Sequence, residues 1–167
     1  RGGALYTFLF YGALFQAVRC NFSNNSADSR GGALNLEKST SLVKQCIFRD
    51  NIAQLGGGLS IHETKNIQLR KSTFIENKAT KFRSQCISAF KDIDSCYLVK
   101  NKDLTSGGAM HVVNVHNVSI SLIKFIRNNA YGRGGAIVLD AVEFLNVFKC
   151  LFITNEAEEG GAVNVDY

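Results

Sequence analysis

The sequence predicts an all-β fold, a right-handed parallel β-helix in which the chain winds through about six coils. Two observations lead to this fold. A Phe-x-x-Asn motif recurs with its Asn at positions 25, 51, 77, 101, 128 and 155, so one repeat takes 24–27 residues. Most copies are followed by a Gly pair and a stretch in which apolar residues alternate. Repeats of this length are the signature of solenoids, and two-residue alternation is typical of β-strands.

The Phe-x-x-Asn motif supplies part of the interior of each coil. Its positions are Phe22 and Asn25, Phe48 and Asn51, Phe74 and Asn77, Phe125 and Asn128, Phe152 and Asn155, and Asn101 in a copy with Leu98 in place of Phe. We expect the Phe rings to stack from coil to coil. We expect the Asn to turn inward at a corner, where it tolerates left-handed φ and where stacked amides can bond to each other.

The Gly pairs mark tight bends between strands. They are Gly31 and Gly32, Gly56 and Gly57, Gly107 and Gly108, Gly134 and Gly135, and Gly160 and Gly161. Gly suits a bend because it adopts positive φ and allows another backbone to approach closely. The alternating residues that follow, such as Leu34 and Leu36, predict an inward-facing strand. Together with the Phe strand and another before it, this gives about three short strands per coil.

The repeat runs from one terminus to the other, so residues 1–167 form a single β-helix that we interpret as a fragment of a longer chain. Uncapped solenoid ends expose strand edges, and we expect this fragment alone to aggregate. Residues 80–106 form a degenerate coil in which Ser84-Gln85-Cys86-Ile87 occupies the place of the Gly motif. We expect this coil to interrupt the stack and to bulge outward.

A leucine-rich repeat is the alternative solenoid, since its length and its L-x-x-L-x-L-x-x-N spacing fit part of each repeat. Val147, Cys150, Phe152 and Asn155 match that spacing. Two features favour the β-helix. The last apolar position is small, with Ala157 where a Leu is usual. The segment after the Gly pair alternates like a strand, whereas leucine-rich repeats usually have helical or extended backs.

Composition excludes several classes of partner. The 167 residues carry a net charge of +5, and their Lys and Arg form no run of five or more. This indicates a mixed, solvated surface and no nucleic-acid partner. The apolar stretch at residues 6–15 is too short to cross a bilayer, which takes about 20 residues. Membrane contact would therefore involve only segments absent from this sequence.

No catalytic residues, metal ligands or cofactors are predicted. We see no carboxylate that recurs at one position in adjacent coils, although Asp92, Asp94 and the Glu residues at 156, 158 and 159 are candidates. His62, His111 and His116 lie in comparable stretches after the Gly pairs. His62 follows an inward residue and His111 lies between two, so both should point outward, and we expect isolated, exposed histidines. No C-x-x-C pair occurs. Cysteines 20, 46, 96 and 150 share one inner position with Ser72 and Ile123, which favours packing over disulfide bonding.

Three N-x-Ser sequons provide possible glycosylation sites. They begin at Asn21, Asn24 and Asn117. Asn21 lies between inward Cys20 and Phe22, so its side chain should face solvent. In a secreted eukaryotic protein these residues could carry glycans.

The paired motifs, with Cys20 through Leu34 as the clearest copy, resemble the repeats of the polymorphic outer-membrane proteins of chlamydiae. The resemblance covers Gly2 to Tyr167 and weakens over residues 80–106. It implies a β-helical segment at the cell surface, often acting in adhesion, with no catalytic residues.

We therefore expect a non-catalytic cell-surface or extracellular solenoid that acts in adhesion or assembly. Its partner would be a protein or glycan, or copies of itself. A β-helical polysaccharide lyase or hydrolase, or an internal scaffold subunit, is the alternative.

Overall fold

The computed structural model describes residues 3–8, 14–37, 40–62, 66–80, 92–104, 106–113 and 117–166. Every regular element in these ranges is a β-strand. In chain order the strands are β1 Leu5–Phe8, β2 Leu14–Val18, β3 Asn21–Ser23, β4 Ser26–Arg30, β5 Leu34–Glu37, β6 Thr40–Lys44, β7 Ile47–Arg49, β8 Ile52–Leu55, β9 Leu59–His62, β10 Asn66–Arg70, β11 Thr73–Ile75, β12 Lys78–Ala79, β13 Asp92–Asp94, β14 Tyr97–Val99, β15 Lys102–Asp103, β16 Met110–Val113, β17 Asn117–Ser121, β18 Lys124–Ile126, β19 Asn129–Ala130, β20 Ile137–Asp140, β21 Phe144–Phe148, β22 Leu151–Ile153 and β23 Val163–Asp166.

The strands form parallel sheets in which each strand pairs with its counterpart about one repeat away. Sheet 1 has the order β2-β6-β10-β13-β17-β21, sheet 2 has β3-β7-β11-β14-β18-β22, and sheet 3 has β4-β8-β12-β15-β19. Two three-stranded glycine sheets, β1-β5-β9 and β16-β20-β23, follow the Gly pairs. Since sheets 1 and 2 each stack six strands, five full turns of the chain separate the first strand from the last.

This architecture confirms the predicted parallel β-solenoid. A full coil passes through sheet 1, sheet 2, sheet 3 and a glycine sheet, as in coil 1 at residues 14–37. The following coils begin at Thr40, Asn66, Asp92, Asn117 and Phe144 and are numbered 2 to 6. Each full coil has four short strands, one more than expected. The additional sheet 3 presents Ala27, Ala53 and their equivalents inward, and so small a side chain gives little sequence signal.

The core is built from rows of residues that lie in register. The aromatic row on sheet 2 consists of Phe22, Phe48, Phe74, Leu98, Phe125 and Phe152. The rings of Phe48 and Phe74 lie 4.5 Å apart between centroids and are tilted by only 2°. Offset or parallel aromatic contacts of this kind add to the free energy of apolar burial.

The corners use left-handed residues at positions that differ from our expectation. The residue before each row asparagine has positive φ, for example Asp50 at 52° and Lys100 at 53°, whereas the asparagines themselves do not. A second set with positive φ precedes the cysteine positions, as at Gln45. Backbone bonds to the next coil hold these corners, since Asp50 N donates to the carbonyl of Ile75 at 3.0 Å. The left-handed residue makes the turn, and its successor points inward.

The two residues of a Gly pair have different reasons to be glycine. Gly134 has a φ of 58°, and a Cβ there would lie 2.1 Å from the carbonyl oxygen of Ile137. A Cβ on Gly135 would lie 2.2 Å from the carbonyl oxygen of Gly161 in the next coil. The first Gly therefore makes the bend, and the second allows two coils to approach.

The described part of the degenerate coil continues the stack rather than interrupting it. Residues 92–94, 97–99 and 102–103 pair in register with both neighbouring coils. Leu98 fills the place of a Phe between Phe74 and Phe125, so a large apolar side chain is present at this position of the row in every coil. The expected bulge, with residues 84–87 in place of the Gly motif, lies outside the described residues.

Candidate interaction surface

An asparagine ladder runs along the interior corner between sheets 2 and 3. Its members are Asn25, Asn51, Asn77, Asn101, Asn128 and Asn155. The Oδ1 atom of each later member accepts two hydrogen bonds from the preceding asparagine, one from the backbone N–H and one from Nδ2, at 2.9–3.2 Å. The second Nδ2 proton goes to a backbone carbonyl of the previous coil, as from Asn51 to Phe22 at 2.9 Å.

This ladder satisfies its own polar groups while it is buried. Asn51 and Asn128 are fully buried, and Asn77 and Asn101 nearly so. An unpaired amide in such a position would be costly. Because each asparagine completes the bonds of its neighbours, the ladder rigidly fixes the spacing between coils, and with it the positions of the outward-facing side chains.

The cysteine row lies on the other side of the aromatic row and is a packing feature. Cys46 and Cys96 are buried, Cys20 and Cys150 are half-buried, and all four thiols are free. Burial raises the pKa of Cys96 to about 12. Ser72 fills the same row, where its Oγ accepts the N–H of Cys46 at 3.2 Å. Because its pKa is this high, the thiol of Cys96 is protonated at neutral pH and is a poor nucleophile.

The prediction that His111 is exposed and isolated is wrong. Its side chain does point away from the core, but it is only 7% exposed. Its Nε2 lies 2.7 Å from Oδ2 of Asp140 in the next coil. The glycine bend folds back over this face, because a Cβ on Gly107 would lie 3.1 Å from Cβ of His111. The side chains of His62 and His116 lie outside the described residues.

The prediction that no carboxylate recurs in adjacent coils is also wrong. Asp140 and Asp166 are paired in register on the second glycine sheet. Each has a basic neighbour, since His111 contacts Asp140 and Arg133 forms an ion pair with Asp166. Each Asp comes six positions after the first Gly of the Gly pair in its own coil. Counted from the Phe-x-x-Asn motif, the two Asp residues do not fall at the same position, so that count does not reveal their register. Cross-coil contacts of this kind give the two Asp residues a structural role.

The outer face of sheets 2 and 3 carries a basic patch, defined as Lys78, Lys100, Lys102, Lys124 and Arg127. All five side chains are exposed. Lys78 and Lys102 are directly opposite on paired strands. Lys100 and Arg127 follow the paired residues Val99 and Ile126, so they too are neighbours. In the sequence these residues are scattered over 50 positions, and only the coil brings them together.

Few acidic groups balance the patch. Glu76 forms an ion pair with Lys100 at 3.2 Å, and both side chains are about half exposed. Asp103 lies in the same segment but is buried, and its Oδ1 accepts the N–H of Ser106 at 3.1 Å. Within the described residues of coils 3 to 5, the patch therefore presents five positive charges to solvent beside the exposed carboxylate of Glu76.

The charge of this face changes along the solenoid. In coils 1 and 2, Arg30 and Arg49 are balanced by Asp28 and Asp50. In coil 6, residues 151–159 contain three Glu and no Lys or Arg. The basic patch of coils 3 to 5 is thus bounded at one end by a neutral surface and at the other by an acidic one.

An apolar row borders the patch on sheet 2. It consists of Ile75, Val99, Ile126 and Ile153, which are in register on neighbouring strands. Ile153 is 41% exposed and the others are half-buried. Flat apolar rows flanked by polar groups are typical of interaction surfaces.

Two of the sequons lie on the outside of coil 1. Asn21 is exposed at the start of β3, and its Oδ1 accepts a bond from Oγ of Ser23 at 2.7 Å. Asn24 is exposed in the following corner. Asn117 begins β17, and its side chain lies outside the described residues. Both described sequons are sterically open to modification.

The acidic candidates whose side chains the structure describes do not form an enclosed site, and the side chain of Asp92 lies outside the described residues. Asp94 accepts a bond from Oγ of Ser121 at 3.1 Å. Glu156 and Glu158 line an open groove of about 350 Å³ with Asn129 and the exposed ring of Tyr131. Both Glu side chains are exposed, so nothing there excludes water as an active site commonly does.

The described ranges contain neither a metal-ligand cluster nor a membrane-spanning helix. Within them, no three His, Cys, Asp or Glu side chains converge as metal ligands would. The same residues include no helix that is long and apolar enough to span a bilayer.

Comparisons with known proteins agree with this geometry. Residues 19–37 match the model of the Chlamydia polymorphic membrane protein repeat. The chain is 30% identical over 137 residues to the Metabotropic glutamate receptor-like protein R of Dictyostelium discoideum, which covers 80% of this chain and 8% of that protein. The chain thus spans a small part of the length of this relative. No solved structure matches it. The chain is a parallel β-solenoid in which residues 19–37 match the Chlamydia polymorphic membrane protein repeat.

Proposed function

We propose that this chain is a non-catalytic module of a protein displayed at the cell surface or outside the cell. In this role, its flat outer faces bind a partner or further copies of the solenoid. The observation that carries the proposal is the outer face of sheets 2 and 3. There an apolar row and a basic patch are exposed side by side on a rigid interior ladder.

The family match supports the surface location, because the matched repeat is named for membrane proteins. The Dictyostelium relative is named as receptor-like, which also suits a surface protein. Solenoids offer extended, regular surfaces for binding, and a preformed surface loses little conformational freedom when a partner binds. Adhesion is the use that best fits such a surface.

Surface labelling tests this proposal. An antibody against an exposed segment, such as the one around Tyr131, should label intact cells that produce the whole protein as strongly as permeabilised cells. The same cells should lose adhesion when the antibody is added. Labelling that requires permeabilisation would overturn the proposed location and would favour an internal scaffold.

A further inference from the structure

We propose that the basic patch binds an anionic polysaccharide, a flexible sugar chain that carries sulfate or carboxylate groups. This inference rests on the proposed function, because such polysaccharides are ligands for proteins outside the cell. It adds the chemical class of the partner and the residues that bind it.

The first argument is the spacing of the cations. Parallel strands lie about 4.8 Å apart, so the patch extends over two steps, or about 10 Å, along the axis. Lys78 and Lys102 form one stacked pair, and Lys100 and Arg127 form another. A polymer with an anion on successive sugar units can meet several of these cations at once.

The second argument is the energetic cost of the free patch. Like charges directly opposite on paired strands destabilise a sheet. Lys78 and Lys102 are such a pair, and among the described residues of coils 3 to 5 on this face Glu76 is the exposed acid beside them. The folded chain thus maintains a repulsion that a bound polyanion would relieve. The same outer position of sheet 3 holds Ile52 in coil 2 and Asn129 in coil 5, so the repeat itself does not require these charges.

The third argument is that the cations are held in place. Nζ of Lys124 lies 5.3 Å from the ring centroid of Tyr97, which is a cation–π contact. Lys100 is tethered by Glu76. Arg127 presents a planar guanidinium that can bind a sulfate or carboxylate with two parallel hydrogen bonds. A partly ordered site loses less entropy on binding.

The fourth argument concerns the shape of the ligand. Glu156 and Glu158 lie one coil beyond the patch on the same face. A planar anionic membrane or a rigid nucleic-acid duplex would also meet these carboxylates, which would repel it. A narrow, flexible polysaccharide can lie across coils 3 to 5 and turn away from the surface before coil 6. The observations therefore favour the polysaccharide.

Binding to heparin, a sulfated polysaccharide, tests the proposal with the intact protein. The patch variant is Lys78→Gln, Lys102→Gln and Arg127→Gln combined. The control variant is Arg19→Gln, Lys44→Gln and Arg70→Gln, which removes the same charge from the side of sheet 1. There Arg70 lies opposite Lys44 on one neighbouring strand and opposite Asp94 on the other, so the control cluster also contains a like-charged pair and has one carboxylate in register. Gln45 already occupies the corner equivalent to that of Arg19, and Asn24 and Thr154 occupy corners equivalent to that of Arg127, so these corners accommodate uncharged polar residues.

We expect the wild type to bind heparin at about 0.15 M ionic strength and to release it as salt rises. Neutral dextran should not bind. The patch variant should bind at least about tenfold more weakly, and the control variant should stay within about threefold of the wild type. Equal losses in both variants would show attraction by net charge alone and would overturn the proposed site.

Two further probes separate this inference from its competitors. Tighter, patch-dependent binding of a DNA duplex or of phosphatidylserine vesicles would assign the patch to another polyanion and contradict the inference. The result of the heparin-binding test does not depend on the result of the surface-labelling test. A labelled surface without heparin binding would leave the proposed function standing and overturn only the polysaccharide.

Discussion

The asparagine ladder and the basic patch are both rows of similar side chains stacked one per coil, yet they have opposite energetic effects. Along the ladder, each amide both donates and accepts, so Asn77 completes the bonds of Asn51 and Asn101. Along the patch, Lys78 and Lys102 can only repel each other. The two rows are adjacent in sequence, since Lys78 directly follows Asn77, but Asn77 is buried and Lys78 is exposed.

The difference shows that repeated side chains can stabilise the inside of a solenoid and destabilise its outside. Repetition inside the coil adds cooperative stabilisation, because identical groups are complementary to their neighbours. Repetition of one charge outside the coil costs stability, and this cost is one reason why we propose a ligand for the patch. Substitutions in the two places should therefore have different consequences for stability and for binding.

The largest effect is expected from Asn77→Ala in the middle of the ladder. It removes the acceptor of two bonds from Asn51 and the donor to the carbonyl of Phe48. The groups left unpaired are buried, so we expect a loss of about 4 kcal/mol in the free energy of unfolding. Urea denaturation followed by circular dichroism measures it.

Asn25→Ala is the matched control, because Asn25 lies in coil 1 and is half-buried. It removes one side-chain bond to Asn51, whose Oδ1 still accepts the backbone N–H. We expect a loss of about 1 kcal/mol. Equal losses at both positions would contradict a cooperative ladder.

A smaller effect is expected from Phe74→Leu in the aromatic row. Phe74 stacks on Phe48 and is nearly fully buried. Leu98 occupies the same row one coil later, so the row accommodates Leu. We expect Phe74→Leu to lower the free energy of unfolding by about 1.5 kcal/mol. Phe74→Ala should cost about 4 kcal/mol because it leaves a cavity. Thermal unfolding distinguishes them, and similar values for both would mean that this row is loosely packed.

The next effect appears only at high pH and comes from the buried thiol of Cys96. The folded state keeps this group protonated up to about pH 12, whereas the unfolded chain ionises it from about pH 9. The unfolded state therefore binds fewer protons in this window. The free energy of unfolding should fall there by up to about 1.4 kcal/mol per pH unit.

The variant Cys96→Ser isolates this contribution, because Ser72 already occupies the same row. Between pH 9 and 11, the wild type should lose stability more steeply than the variant. Native alkylation at pH 8, mapped by mass spectrometry, should modify half-buried Cys150 before Cys96. Parallel pH profiles, or faster modification of Cys96, would count against a buried, protonated thiol.

Much of the interior could be predicted from the sequence. The spacing from Phe48 to Asn51 recurs, and a residue that recurs at one interval must occupy one row of a solenoid. The parallel fold follows from that regularity. Sheet 3 is less evident because its inward residue is only Ala, and the left-handed corners have no fixed side chain, with Asp50 and Lys100 at equivalent positions.

The candidate surface was harder to predict because its residues meet only across coils. Lys102 and Arg127 are far apart in sequence, and the prediction of a mixed, solvated surface counted charges along the chain. Placing each charge at its position within the coil would have brought them together. The burial of His111 depends on the path of the glycine bend, and alternation alone predicts its direction but not what covers it.

The patch variant, for which we expect the smallest change in stability, tests most directly whether the inner rows hold the fold together while the outer basic patch does not. The free energy of unfolding of the patch variant should be measured in the intact protein at low ionic strength. We predict that it equals the wild-type value or exceeds it by about 0.5 kcal/mol, because repulsion is relieved. The difference should vanish at about 1 M salt, where charges are screened. A loss of more than about 1 kcal/mol would contradict the account, since the patch would then be part of what holds the fold together.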